Sequence, residues 1–247
     1  MFNIYKHFTI KGNFGIIAPM RFYFYFKYAI SLIIAVVLAI VTLPVFIITA
    51  IAIKIEDGGK VIFSQERTGR GMKRFKVYKF RTMKTTDVVF DKNRAVISAN
   101  NSNVTKVGKF IRKFKIDELP QIYNVLKGDM CFISPRPLMP TYECDYKDWE
   151  KVKFFTKPGM TGLGQVNGNG YLSTEERNYY DVYYVMHASP IMDIKIIFKT
   201  LGVILHGEEK YIRHVKIEDY CKLRTGAKAL WDKETSFSKL FIPKRAV

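Results

Sequence analysis

The chain has 247 residues, an apolar fraction of 48% and a formal charge of +18, a balance that excludes a disordered polymer and leaves room for one good-sized core or two small domains. The excess of 40 Lys and Arg over 22 Asp and Glu calls for an anionic partner: nucleic acid, an acidic membrane surface or phosphorylated small molecules. Cys131, Cys144 and Cys221 form no CxxC pair and the 4 histidines are dispersed, so neither a disulfide framework nor a His-bound metal is indicated, and a reducing cytoplasmic setting fits.

Ala29 to Ile53 is an uncharged apolar run bracketed by Lys27 and Lys54. As a straight helix it would measure roughly 37 Å at about 1.5 Å per residue, ample for a hydrocarbon core of about 30 Å. It far exceeds the roughly 7–15 apolar residues of a cleaved signal, although Ala50-Ile51-Ala52 resembles a cleavage site. Lys6, Lys11, Arg21 and Lys27 precede it, and Lys54, Lys60, Arg67, Arg70, Lys73 and Arg74 follow, so both flanks favour the cytoplasm. Pro44 removes a backbone donor inside the run and predicts a bend at Leu43-Pro44. A helix that enters, bends and leaves by the same face satisfies both flanks; a kinked spanning helix is the alternative.

Beyond Lys54, KVIFSQ and FKVYKF alternate apolar and polar residues and predict short strands. Val107, Phe110, Ile111 and Phe114 recur at helical spacing among Lys106, Lys109, Arg112, Lys113 and Lys115, predicting a basic amphipathic helix tipped toward lipid. A second apolar helical face comprises Ile191, Ile194, Ile197, Phe198, Leu201, Ile204 and Leu205, between Pro190 and Gly207; packing on the core is the commoner fate of such a stripe. Residues 213–247 show no sustained periodicity and end in FIPKRAV. The chain thus divides into a membrane-anchoring segment (1–54), a cytosolic interfacial domain (55–212) and a basic tail (213–247).

In Lys115-Ile-Asp-Glu-Leu-Pro-Gln121, Asp117 and Glu118 stand ahead of Pro120 at the start of a predicted helix, where aligned N–H groups favour anions. Alone, such a pair is usually a solvated dipole partner. Ser134-Pro135-Arg136-Pro137 presents one guanidinium between two fixed φ angles, a fork suited to phosphate, although a rigid turn would look the same. Lys76, Lys79 and Arg81 place cations near one strand face. KPGMTGLGQVNGNG suits close backbone approach to a ligand, with Lys157, Gln165 and Asn167 as candidate substrate-binding side chains, but contains neither a GxGxxG fingerprint nor a Walker A loop.

Taken in order, the apolar segment with its internal proline, VIFSQERTGRG, FKVYKFRTM, KIDELPQIYNVLKGDMCFISPRP, KPGMTGLGQVNG and DVYYV resemble the bacterial sugar transferase family, the small monotopic phosphoglycosyl transferases, from about residue 27 to about residue 205. The resemblance implies an α+β, mostly helical fold: a re-entrant membrane helix-break-helix at Leu43-Pro44, amphipathic interfacial helices and a small β element. It implies that Asp117 is the nucleophile, that Glu118 helps hold Mg²⁺, and that Lys79 or Arg81, with Arg136, binds phosphate. The expected reaction moves a sugar-1-phosphate from a UDP-sugar to polyprenyl (undecaprenyl) phosphate, releases UMP and begins a capsule, exopolysaccharide or other surface glycan. The setting is the cytoplasmic face of a bacterial inner membrane, with anionic lipids as partners and a homo-oligomer left open. The sequence departs from the family at Leu43-Pro44, where Ser-Pro is common, and at Tyr28 and Ser31, where a basic and an acidic residue are common. It departs again at Leu163-Gly164, usually Trp-Ala, and at Asn169, often Arg. A membrane-tethered nucleic-acid binder would need RNP-like aromatics or a helix-turn-helix, and neither is present. An inactive scaffold of the same family is disfavoured by intact Asp117, Glu118 and Arg136.

Overall fold

The computed structural model describes the backbone of residues 17–84 and 103–240, with side chains over 22–84 and 103–234. Lys6, Lys11, the Arg21 side chain and FIPKRAV lie outside the described residues. The apolar run folds as α1 (Ile17–Val41) and α2 (Leu43–Asp57), separated by Thr42. The break falls one residue before the predicted Leu43-Pro44, because Pro44 belongs in the first turn of α2, where its missing N–H costs nothing. The Thr42 hydroxyl donates to Leu38 O at 2.7 Å, a back-bond that bends helices. At its far end α2 stops at Gly58, whose φ of 68° lets its N–H return to Lys54 O.

Although nearly all apolar, each helix has one inward face. Phe24, Lys27, Ser31 and Ala35 of α1 are buried at successive turns, as are Thr49 and Ile53 of α2. Phe22, Phe26, Ile33, Val37, Ile40, Ile48 and Ile55 point outward, exposed. The stretch Phe22–Val41 is long and apolar enough to cross a membrane by length and composition.

The predicted strands form an antiparallel hairpin, β1 (Ile62–Thr68) and β2 (Arg74–Phe80), with Gln65 opposite Val77. The basic amphipathic helix is α3 (Lys106–Lys113), capped by Thr105, whose hydroxyl accepts from Gly108 N at 2.9 Å. Gly108 is required by close approach: a Cβ there would lie 2.2 Å from Thr82 O. Val107 and Ile111 pack with Phe80 and Ile53, a burial worth about 1.5–3 kcal/mol for Ile111. Phe110 and Phe114 stay exposed and lie against each other at 5.0 Å.

Next come α4 (Gln121–Leu126) and the parallel pair β3 (Cys131–Ile133) and β4 (Gly159–Thr161), joined through 3-10 turns over Pro140–Asp145 and Asp148–Phe155. At Gly159 a Cβ would meet Ser134 N at 2.2 Å, so only glycine lets the two strands approach. α5 (Thr174–His187) opens with a Ser173–Glu176 capping box and supplies Tyr180, Val182, Tyr184 and Val185 to the main core.

Two sequence expectations change. In α6 (Pro190–His206) the core takes Asp193, Ile196 and Val203, while the apolar stripe expected to pack is largely on the surface: Phe198 is 70% and Leu205 77% exposed. The face that packs is set by Asp193, which is bound by Tyr184 and Lys27, and this turns much of the stripe outward. The segment expected to be a tail folds over Ile217–Leu240 as α7, whose Leu223, Ala227, Leu230 and Trp231 join the main core beside α5 and the Asp148–Phe155 turn.

Candidate active site

Asp117 and Glu118 occupy a single 3-10 turn, Ile116–Glu118, between α3 and α4. Lys115 enters it with φ 57°, a left-handed conformation that costs a side-chain-bearing residue about 1–3 kcal/mol and reverses the chain. The turn then runs into Pro120, the N-cap of α4. Both acids are thereby directed inward rather than into solvent.

Two elements converge on Glu118. Lys79 of β2 donates to its Oε1 at 2.5 Å, and Arg136, held in the Ser134–Pro137 segment that leaves β3, donates to the same oxygen at 2.9 Å. Burial alone would raise the Glu118 carboxyl, but Arg136 and Lys79 hold it well below the usual carboxylate range. Reciprocally, Glu118 raises Arg136, whereas burial lowers Lys79 against the pull of Glu118. Asp117 behaves differently. It is 9% exposed, its Oδ1 is buried without a hydrogen-bond partner, and burial, then the Glu118 charge, push its carboxyl up. Lys79, Lys115 and Arg112 pull it back.

Of the remaining sequence candidates, Arg81 is ion-paired with Asp57 at the end of α2. Lys157 stands against α1: its backbone N–H donates to the Tyr28 hydroxyl at 2.8 Å and its ammonium lies over the Tyr28 ring at 4.8 Å. Asn167 donates to Leu163 O at 2.8 Å and accepts from Lys199 at 2.9 Å. Gln165 does reach the site. Its amide donates to Met160 O at 2.9 Å, while its Oε1 is buried without a partner.

Sequence reasoning missed four charges. Burial and the Arg136 charge together lower Arg67 to about 10, which places it in the same cation cluster; its signal was the QERTGRG motif, unread residue by residue. Arg112 faces Asp117 while its Nε donates to Thr82 at 2.8 Å. Lys115 donates at 3.0 Å to Glu208, just beyond α6, and Asn169 donates to both oxygens of Glu208 at 3.1 Å. Nothing in the local sequence marks Glu208.

A cavity of about 590 Å³ opens from this cluster, with Glu118, Arg136, Lys115 and Gln165 at one end and α1 and α6 as its walls. No group of three or more His, Cys, Asp or Glu among the described residues forms a metal cage on its own. Mg²⁺ is commonly held by one or two carboxylates with substrate phosphates completing the shell. The adjacent carboxylates, one with an unpartnered oxygen, fit that donor set.

An adjacent acid pair answered by a Pro-Arg-Pro arginine and a strand lysine can bind a phosphorylated ligand and offer it a carboxylate nucleophile. The profile of the bacterial sugar transferase family matches residues 22–207. The chain belongs to the bacterial sugar transferase family. Within it, the chain is 36% identical over 206 residues to a UDP-N-acetylgalactosamine-undecaprenyl-phosphate N-acetylgalactosaminephosphotransferase of Aeromonas hydrophila, covering 80% of this chain and 48% of that one. It is 37% identical over 185 residues to the UDP-glucose:undecaprenyl-phosphate glucose-1-phosphate transferase of Escherichia coli K12, covering 71% and 39%. The uncharacterized sugar transferase EpsL of Bacillus subtilis is 37% identical over 187 residues, covering 75% and 91%. The chain therefore spans less than half the length of the first two sugar transferases and matches nearly all of the third.

Proposed function

We propose that this sugar transferase moves a sugar-1-phosphate from a UDP-sugar to a polyprenyl phosphate at the cytoplasmic face of a bacterial inner membrane. The single observation that carries the reading is the contrast between the two acids: Glu118 clamped by Lys79 and Arg136, and Asp117 beside it with Oδ1 unpartnered. A carboxylate can approach a diphosphate only if the charge of both is screened. The ammonium of Lys79 carries three donors and the guanidinium of Arg136 five, more than Glu118 Oε1 can use, so both can also hold phosphate oxygens. Glu118 is the residue that would hold Mg²⁺, which would add further screening of the diphosphate.

In the first step Asp117 attacks the sugar-bearing β-phosphorus; the bond from that phosphorus to the bridging oxygen breaks and UMP leaves with the electron pair. In the second, a phosphate oxygen of the carrier attacks the same phosphorus and the Asp117 carboxylate departs. The names of the relatives from A. hydrophila and E. coli K12 support the pairing of a UDP-sugar with undecaprenyl phosphate.

A monotopic placement is supported by the anchor: α1 and α2 both pack on the same domain, with apolar outward faces to either side of Thr42. The exposed α6 stripe and the Phe110–Phe114 pair, the latter set among lysines, offer further lipid contacts. The test is transfer itself. Membranes supplied with a panel of radiolabelled nucleotide sugars and polyprenyl phosphate should form a lipid-linked diphosphosugar, lose the activity in EDTA and regain it with Mg²⁺. No transfer from any UDP-sugar would refute the reading, and full turnover in chelator would remove the metal from it.

A further inference from the structure

Glu208 reaches the polar end of the cavity from a part of the chain that the family profile does not cover, since the match ends at residue 207. α6 stops at Gly207, whose φ of 88° turns the backbone, and Glu208 opens a 3-10 turn over Glu208–Tyr211. The segment is tied to the glycine-rich loop and to α5 and α6. Arg213 N donates to Asn167 O at 3.0 Å, the Tyr180 hydroxyl to Arg213 O at 2.7 Å and the Tyr171 hydroxyl to Glu209 at 2.6 Å. Gly202 admits the Tyr211 hydroxyl, which a Cβ would meet at 2.2 Å. The Glu208 carboxylate is thereby fixed in place. The two residues that donate to it, Lys115 and Asn169, both hold left-handed backbone, with φ of 57° and 44°. Lys115 stands two residues ahead of Asp117, so Glu208 is tied to the turn that carries the acids.

Hydrogen bonding around this carboxylate is incomplete. A carboxylate offers about four lone-pair sites. Lys115 takes one on Oε1 at 3.0 Å, and a single Asn169 nitrogen is shared between Oε1 and Oε2 at 3.1 Å. Oε2 keeps room for a donor, and Glu208 lines the cavity with 21% of its side chain accessible. Gln165 lines the same end; its Nε2 is committed to Met160 O, and its Oε1 has no partner. Beside these acceptors stand Arg136 and Lys115, cations with donors to spare. The group that satisfies such an end is anionic on one side and carries uncharged hydrogen-bond donors on the other, as a ring of hydroxyls joined to a phosphate does. A second negative charge would face Glu208. We propose that Glu208, positioned by Lys115 and Asn169, selects the sugar of the donor by accepting one of its hydroxyls while Gln165 Oε1 accepts another, and that this sugar is an uncharged hexose rather than a uronic acid. This rests on the UDP-sugar reading above and adds the sugar class and the residues that choose it. Asn169 matters because it stands where the family often has Arg: a guanidinium could fill both Glu208 oxygens, whereas the amide leaves one for the ligand. Lys115, with three donors, can keep Glu208 while taking a phosphate oxygen, which couples sugar recognition to the seating of phosphorus beside Asp117.

The test compares donors, with the full chain in phospholipid vesicles. Among UDP-glucose, UDP-galactose, UDP-N-acetylgalactosamine and UDP-glucuronate, an uncharged donor should exceed the uronate in kcat/KM by at least about tenfold. Preference for the uronate would overturn the inference and leave the UDP-sugar reading intact, whereas no turnover of any UDP-sugar would refute that reading and the inference with it. Deoxyfluoro analogues of the preferred donor, each lacking one hydroxyl proton, locate the contact. At one position the replacement should cost the native protein at least about tenfold, the scale of one hydrogen bond to a charged group, and cost Glu208→Ala no more than about twofold. A uniform loss across all donors in Glu208→Ala would show that the residue only latches the segment after α6. Glu208→Gln keeps an oxygen for Lys115 and should narrow the discrimination against UDP-glucuronate about fivefold, as relief of a like-charge contact predicts; an unchanged ratio would overturn the charge argument and with it the sugar class. Tyr171→Phe releases the same segment at Glu209, outside the cavity, and should leave both ratios unchanged; an equal effect there would again leave only a latch. Calorimetry on Asp117→Asn, where no turnover intervenes, completes the comparison: adding Glu208→Ala should weaken the preferred UDP-hexose but not UDP itself. Equal weakening of both would place Glu208 outside the sugar site.

Discussion

Asp117 and Glu118 are neighbours in the chain, yet Glu118 accepts two charge-assisted hydrogen bonds while Asp117 Oδ1 is buried with none. Their ionisation is thereby driven apart, Glu118 down and Asp117 up. Such a division separates a permanently charged group from one whose charge is available for bond formation.

The pH dependence follows with a definite sign. A nucleophilic Asp117 must be ionised, so the acid limb of UMP release should lie above the ordinary aspartate value of about 3.9. Removing a cation that stabilises the charged form, as in Lys115→Met, should move that limb to higher pH. Removing the neighbouring negative charge, as in Glu118→Gln, should move it to lower pH even as the rate falls. Shifts of the same sign in both variants would show that the limb belongs to another group.

Lys79 and Arg81 separate cleanly in their expected effects. Lys79→Gln removes a donor from Glu118 and should cut kcat/KM for the UDP-sugar by at least about tenfold, the scale of losing one charge-assisted hydrogen bond of about 1.5–3 kcal/mol. Arg81→Gln disrupts the pair with Asp57 and should lower thermal stability with little change in KM. Arg136→Lys should resemble Lys79→Gln, because an ammonium cannot reproduce a fork that holds Glu118 and would hold the proposed phosphate at the same time. An Arg81 variant with intact stability and lost substrate affinity would restore Arg81 to the site.

The β1–β2 hairpin and α3 were legible because two-residue and 3.6-residue periods translate directly into faces. The acid pair and Arg136 stood out in the sequence, although the meeting of Lys79 and Arg136 on one Glu118 oxygen depends on β2, β3 and the Lys115 reversal, none of which is local to 117–118. Arg81 follows β2 with its backbone N–H still donating to Val61 O at 2.9 Å, and its side chain pairs with Asp57 of α2, whereas Lys79 reaches Glu118. In α6 the period was visible but not its direction, since residues 190–206 are apolar on more than one face and the seam is chosen by Tyr184 and Lys27 binding Asp193. The α7 stripe of Leu223, Ala227, Leu230 and Trp231 has helical spacing but is narrow and diluted by Lys222, Arg224 and Lys228.

The Lys27–Asp193 pair should prove a stability element of the anchor. Lys27→Met leaves a buried carboxylate without its cation, a loss of about 3–5 kcal/mol for such pairs. Thermal unfolding in detergent micelles should fall by several degrees, and Lys27→Met/Asp193→Leu should recover at least half of the loss. An unchanged melting temperature in the single variant would show that the pair does not hold α1 to α6.

Topology can be read in intact cells. With Cys144 and Cys221 replaced, cysteines placed near residue 5 and residue 60 should both be shielded from a membrane-impermeant thiol reagent, as a re-entrant anchor requires. Labelling of only the N-terminal one would restore a spanning helix. Pro44→Ala permits a regular backbone bond at the start of α2 and should shift part of the population toward spanning, although the Thr42 back-bond remains.

The mechanism stands on a covalent intermediate. Incubated with its UDP-sugar and no carrier, the protein should release about one equivalent of UMP per active site and retain the sugar phosphate, as when one displacement is split into two. Intact-protein mass spectrometry should find the added mass on the native chain and none on Asp117→Asn, whose amide keeps the shape of the unpartnered side chain but loses its nucleophilicity. Glu118→Gln is the informative control, slowing adduct formation without abolishing it, because it leaves Asp117 in place and weakens only the charges around it. If Asp117 instead merely oriented the carrier phosphate for direct attack, UMP would appear only once the carrier was added and no adduct would accumulate. That carrier dependence, seen under rapid quenching that would trap a short-lived acyl phosphate, would overturn the nucleophile assignment while leaving the overall transfer intact.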